Sequence, residues 1–316
     1  MHHLGQSKPL FDRFGYSLEA APGSSFSDLN PRLVERLFEA YGLVHFRGFA
    51  IEPCNVMDCV RAYSDVLLRM DAPNRRDALG SEGATVLTDF QGKAIPLHAE
   101  NSYFFEGFWP EIIWFYCETP ASEAGETTVC DGVSVWAEFD SELKRVFLEQ
   151  RLIYKLCVPA ELLHHGVNAD DGPGNLRAAI ARLSAGEPGA RYWNDEAGNF
   201  FAEVKRHAVV LARNGTDYAF VNHICSFQEP ALVDDIRFEG GQPLSPRLMT
   251  RIRSITDGQT RKISWRAGDL VMIDNRRVMH GRTAYDREGG RRMISAMTLQ
   301  ANFGFGQSFR TPRSCT

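Results

Sequence analysis

Residues Ile112-Ile113-Trp114-Phe115-Tyr116-Cys117 read as a strand that is apolar on both faces. A strand of that kind must be covered on both sides, which requires a layered fold with a sheet inside. Short strands recur along the chain, at residues 43–49, 219–222, 261–265, 269–273 and 292–299, and residues 123–131 read as a glycine turn feeding another. Helical spacing frames them. Residues 28–41 put Leu33, Leu37 and Ala40 on one face, with Asn30 before Pro31 as a cap and Gly42 as a stop. Further helices are expected over residues 54–70, 135–152 and 247–255. Helices outside and short strands inside predict an α+β fold: a double-stranded β-helix, or jelly-roll core, flanked by helices. Residues 160–210, rich in Gly, Asn, Asp and Ala, are expected to form an insertion over the barrel mouth, acting as a lid. No repeat or low-complexity linker divides the chain, so residues 1–316 are expected to form a single domain.

Charge narrows the class. The 35 basic and 40 acidic residues give a net charge of -5 with no basic tract, which argues against nucleic acid as a partner. No apolar run approaches the roughly 20 residues that cross a bilayer, so no membrane partner is expected. Met1–Ser7 lacks the apolar core of a signal peptide. Seven cysteines, an odd number with no CxxC pair, fit reduced thiols and a cytoplasmic protein. A homo-oligomer stays open.

The candidate chemistry lies in His98-Ala99-Glu100 and, far down the chain, His280. On an extended segment His98 and Glu100 point to the same side. Two imidazoles and one carboxylate with other positions open are the set that holds non-haem Fe(II) for oxygen chemistry. On its own His-x-Glu is a common pairing of ordinary surface strands, so the surroundings must decide.

Those surroundings form a pattern. The run Leu97-His98-Ala99-Glu100-Asn101-Ser102-Tyr103, then Trp109-Pro110 and Gly125-Glu126-Thr127, resembles the TauD/TfdA superfamily of Fe(II)/2-oxoglutarate-dependent dioxygenases. Phe46-Arg47-Gly48-Phe49, Gly268-Asp269-Leu270, Asp274-Asn275-Arg276, His280-Gly281-Arg282 and Gly290-Arg291-Arg292 match in the same order. Glu100 followed by Asn101 is similar to the amino-acid hydroxylase and SyrP-like branch. The resemblance implies a small-molecule substrate, with Fe(II), 2-oxoglutarate and O2 as cofactor and co-substrates. It makes His98, Glu100 and His280 the metal ligands. It puts the far carboxylate of 2-oxoglutarate on Arg292, with Arg291 as second choice and Thr127 assisting. The guanidinium suits that task because it grips a carboxylate with two parallel hydrogen bonds.

Substrate candidates are weaker. Asn101 and Ser102 could orient the metal carboxylate or touch substrate, and Asn222 and His223 match a family position near the substrate pocket. For His223, a satisfied core or rim histidine is an equal reading. Tyr103, Phe104 and Phe105 are expected as a hydrophobic wall, His45 as packing and His164-His165 as surface. Glu100 argues against halogenation, for which relatives carry a small residue there. The position four after Arg292 is Ala296, so an anionic substrate anchored by arginine is unsupported. The implied reaction is oxidative decarboxylation of 2-oxoglutarate to succinate and CO2, coupled to oxidation of an unactivated C–H. Hydroxylation of an amino acid or amino-acid-derived metabolite is the expected outcome, with desaturation or oxidative cyclisation as alternatives. Two readings of other classes remain: a jelly-roll metal isomerase or lyase without 2-oxoglutarate, and a non-catalytic binding protein.

Overall fold

The computed structural model describes residues 4–64, 66–68, 77–78, 85–87, 92–104, 109–160, 190–226, 233–286 and 290–298. The first part of the chain forms β1 (Leu4–Pro9), β2 (Tyr16–Ala20), α1 (Pro31–Tyr41), β3 (Leu43–Arg47) and α2 (Val56–Arg61). Short strands β4 (Asp77–Ala78) and β5 (Thr85–Leu87) lead to β6 (Ile95–His98), β7 (Ile112–Thr119) and β8 (Thr127–Asp131). Then come α3 (Gly132–Glu138), α4 (Ser141–Glu149), β9 (Leu152–Val158), β10 (Arg191–Asn194) and β11 (Phe200–Arg206). After β12 (Val209–Leu211), β13 (Tyr218–Phe220) and β14 (Val233–Phe238), α5 (Pro246–Gln259) feeds β15 (Thr260–Ile263). The described chain ends with β16 (Leu270–Asp274), β17 (Val278–Arg282) and β18 (Arg292–Thr298).

Two sheets carry the architecture, and the fold is α+β. The larger runs β1-β2-β3-β16-β7-β18-β5-β4, and the smaller runs β15-β8-β17-β6. β7 lies inside the larger sheet, with residues 112–117 all buried. Ile113, Phe115 and Cys117 face the core shared with the smaller sheet, while Ile112, Trp114 and Tyr116 pack under the helices with Phe38 and Phe46. Phe115 meets His280 of β17 at 5.4 Å between ring centroids, so the inner faces of the sheets touch. The double apolar face read from the sequence is explained by these two layers. A third sheet, β10-β11-β9-β14, and the hairpin of β12 and β13 complete the strands.

Local signals account for the best-placed helix. In α1, Asn30 accepts from the Arg32 amide at 3.0 Å, Pro31 opens the helix, and Gly42 closes it at φ 69°. Other expectations are corrected. α2 spans 56–61 rather than 54–70, with Ala62 at its C-cap. The helix expected over 135–152 is two helices, because Asp140 accepts from the Leu143 amide and starts a new one; Leu152 already belongs to β9. From residue 190 onward the expected insertion consists of β10, β11 and the start of β12. Residues 161–189, including His164-His165, lie outside the described residues, as do Phe105 and Leu299. Cys59, Cys117, Cys130, Cys157 and Cys225 are free thiols, but Cys54 is disulfide-bonded, so thiols are not reduced throughout. No helix among the described residues is long and apolar enough to cross a membrane.

Candidate active site

His280 of β17 pairs directly with His98 at the end of β6, so the sheet itself brings the two imidazoles together, 4.5 Å apart between ring centroids. Glu100 arrives by a different route from the one the sequence suggested. The strand stops at His98, and Glu100 lies in the turn that follows, just before Asn101 at φ 55°. Glu100 Oε2 stands 3.5 Å from His98 Nε2 and 3.9 Å from His280 Nε2. All three candidate ligand atoms lie within 4.8 Å of one another. Adjacent ligands about 2.1 Å from a first-row divalent ion stand about 3 Å apart, so the cluster needs only small side-chain adjustments to close on one.

Orientation and charge also fit. His98 Nδ1 sits 2.9 Å from the Pro96 carbonyl, which makes it the protonated nitrogen and leaves the Nε2 lone pair facing Glu100. Burial, and then His98 beside it, push the His280 ring down to about 3, so it is a neutral donor. Gly281 lets the strands approach: a Cβ there would stand 2.5 Å from the Ile95 carbonyl oxygen and 2.8 Å from Thr128 Oγ1. The residues present fit an Fe(II) ion held on one face with the opposite positions open.

The backbone around the triad is clamped by asparagines. Asn275, fully buried, accepts from the Glu100 amide at 2.8 Å and donates to the Glu100 and Pro110 carbonyls at 2.9 Å each. The Asn222 carbonyl accepts from the Ala99 amide at 2.9 Å. Its side chain donates to Ala208 and accepts from Ile224, so Asn222, expected at the substrate, braces the segment that carries Ala99 and Glu100. Ser102 likewise donates its hydroxyl to the Ala99 carbonyl at 2.9 Å, and Asn101 is buried in the turn. Asn275 was legible only as part of a motif; its clamp depends on a contact across 175 residues.

One strand layer below the triad lies a cationic end. Arg282 follows His280 on the same face of β17 and pairs with Thr127 of β8. Arg282 and Arg291 both sit over the Tyr285 ring, at 4.9 and 5.5 Å. Arg291 donates from Nε to the Gly125 carbonyl at 3.1 Å, while its buried Nη1 has no hydrogen-bond partner among the described residues. Burial and then Arg282 push its pKa down to about 10, so it stays charged at neutral pH. Trp265 Nε1 donates to Thr127 Oγ1 at 3.0 Å, which uses an acceptor site and leaves the hydroxyl proton for a ligand. Two strand residues, about 7 Å, separate this layer from the triad, comparable to the span of a five-carbon dicarboxylate.

Arg292 does not belong to that layer. It points to the opposite side, is 41% exposed and is ion-paired with Glu118. A register shift between Arg292 and Met293 accompanies the change of face. The preference for Arg292 over Arg291 is therefore reversed. With Arg291 as the buried cation, the position four residues on becomes Ser295 rather than Ala296, and again it is not an arginine.

Tyr103 and Phe104 are buried beyond the triad, as the wall reading expected. His223 is also buried, edge-on to His98 at 5.2 Å and to Tyr103 at 4.6 Å. His45 lies far off in a separate network, with Nδ1 3.0 Å from Ser17 Oγ and Nε2 3.3 Å from Asp269 Oδ2.

This combination of fold and cluster is that of a metal-dependent oxygenase. The chain matches the taurine catabolism dioxygenase TauD, TfdA family over residues 6–297 and belongs to that family of Fe(II)/2-oxoglutarate-dependent dioxygenases. No curated protein matches it by sequence. Among solved structures, PvcB from Pseudomonas aeruginosa aligns with a TM-score of 0.62 and 19% identity, covering 95% of this chain and 94% of that one. AAD-2, in complex with Mn(II) and N-oxalylglycine, aligns at 0.61 with 15% identity, covering 94% and 97%. A taurine dioxygenase from Burkholderia xenovorans aligns at 0.59 with 13% identity, covering 93% and 89%. At these identities the likeness is one of fold.

Proposed function

We propose that the chain acts as a single catalytic domain that hydroxylates an unactivated C–H of an amino acid or amino-acid-derived metabolite. The two packed sheets are read as the halves of a double-stranded β-helix. His98, Glu100 and His280 would hold Fe(II), which with 2-oxoglutarate and O2 supplies the oxidising power. One O2 is consumed as 2-oxoglutarate becomes succinate and CO2 and R–H becomes R–OH. The protein's own task is binding and orientation. Arg291 and Thr127 would grip the far carboxylate, Arg282 would add positive potential, and Asn275 would hold Glu100 in place. Phe115 and Tyr103 would keep water from the site.

The observation that carries this reading is the convergence of the three ligand atoms with a buried arginine pair one strand layer away. The amino-acid substrate rests on the resemblance of Glu100-Asn101 to the amino-acid hydroxylase branch. PvcB, an oxygenase of an isonitrile synthetic pathway, offers a precedent for specialised metabolism on this fold. The test is anaerobic titration with Fe(II) and then 2-oxoglutarate, following the weak visible charge-transfer band of the chelate. The band is expected in the wild type and lost in His98→Ala. Fe(II) binding with no band would rule out the co-substrate assignment.

A further inference from the structure

His223 stands apart from the other buried polar residues around the triad. Neither of its ring nitrogens has a hydrogen-bond partner among the described residues, although only 5% of the residue is exposed. The ring is nevertheless firmly placed. His98 and Tyr103 contact it, the His223 carbonyl accepts from the Ser226 amide at 3.2 Å, and Asn222 before it is bonded on both sides. The Ala99 carbonyl lies near the ring but already accepts from Ser102, and neither imidazole nitrogen meets hydrogen-bond geometry with it. A buried polar ring without partners costs stability, and an apolar side chain of similar shape would avoid that cost. Such a group calls for a partner that arrives after folding.

Its location says which partner. The ring nitrogens of His223 fall outside the three-residue ligand cluster, so it is not a fourth ligand of that set. Along β6 the cationic layer is level with Ile95, which pairs with Arg282. His223 lies past the other end of the strand, beyond His98 and against Tyr103. The co-substrate's far carboxylate belongs to the first side, which leaves the second for the molecule to be oxidised.

We infer that His223 is a positioning residue that hydrogen-bonds the organic substrate through a polar heteroatom, a hydroxyl, amine or amide, within a few bonds of the oxidised carbon. This rests on the metal-site reading above. The experiment compares wild type with His223→Phe and His223→Leu in three measurements. Removing a group kept for a ligand should raise the Tm of the metal-free protein by about 2 °C in at least one variant. The Kd for 2-oxoglutarate, read from the charge-transfer band, should stay within about two-fold. With the proteinogenic L-amino acids and their amides as probes, KM for any accepted probe should rise about ten-fold or more. A lower Tm in both variants would show a structural histidine and overturn the inference, as would loss of 2-oxoglutarate affinity or an unchanged KM. Absence of the band in wild type would instead remove the metal-site reading beneath it.

Discussion

Replacing Arg291 by glutamine should cripple 2-oxoglutarate binding, while the same change at Arg292 should leave it intact. The two residues are adjacent in sequence but differ in setting. Arg291 is buried, with Nη1 lacking a hydrogen-bond partner among the described residues, whereas Arg292 is half-exposed and paired with Glu118. Removing one partner from a buried charge pair costs about 3–5 kcal/mol. Here Arg282 lies beside Arg291, repels it in the ligand-free protein and would carry part of the load in the variant. The lower end therefore applies, and about 3 kcal/mol corresponds to a Kd roughly 100-fold weaker. At Arg292 only a solvent-screened pair is lost, worth about 0–1 kcal/mol of stability and nothing in ligand affinity. Anaerobic titration of the charge-transfer band gives both Kd values, with Tm as a control for folding. If Arg292→Gln weakened binding and Arg291→Gln did not, the assignment of the inward face to Arg291 would be wrong.

Three further outcomes follow from the geometry. Asn275→Ala removes three hydrogen bonds on the Glu100 and Pro110 backbone; it should cost about 2–4 kcal/mol and weaken Fe(II) binding, as checked by denaturant unfolding and metal titration. Gly281→Ala forces a Cβ against the Ile95 backbone; about 1–3 kcal/mol of stability should be lost together with Fe(II) affinity, and unchanged values for both would refute the close-approach argument. Burial alone would raise the Asp269 pKa, but His45 and the two-point grip of Arg47 hold it below the ordinary carboxylate value. Its contribution is thus present above that range and lost as pH falls through the lowered pKa, so Asp269→Asn should flatten acid unfolding measured by circular dichroism.

The contrast between the two arginines shows where sequence reading works. His98 and Glu100 could be found because they are two residues apart, and the double apolar face of residues 112–117 marks an inner strand without help from its neighbours. Asp140 was an available helix-start signal, yet the apolar spacing on either side masked it. Arg291 and Arg292 could not be separated, because neighbouring strand residues take opposite faces and the register is set by pairing with β7. Asn275 and Asn222 look like ordinary turn residues until the fold brings Glu100 and Ala99 to them. Thr127 gained an orientation only once Trp265, 138 residues away, was seen to donate to it.

The direct pairing of His280 with His98 joins positions 182 residues apart (280 − 98). A shift of one residue along this seam would turn His280 away from Glu100. An ion bound there would act as a rivet, selecting one alignment of β6 against β17 from all its neighbours. Iron occupancy and closure of the smaller sheet are then a single linked equilibrium. A chelator should first loosen amide protection along residues 95–98, well before the double-layered core around Trp114 responds.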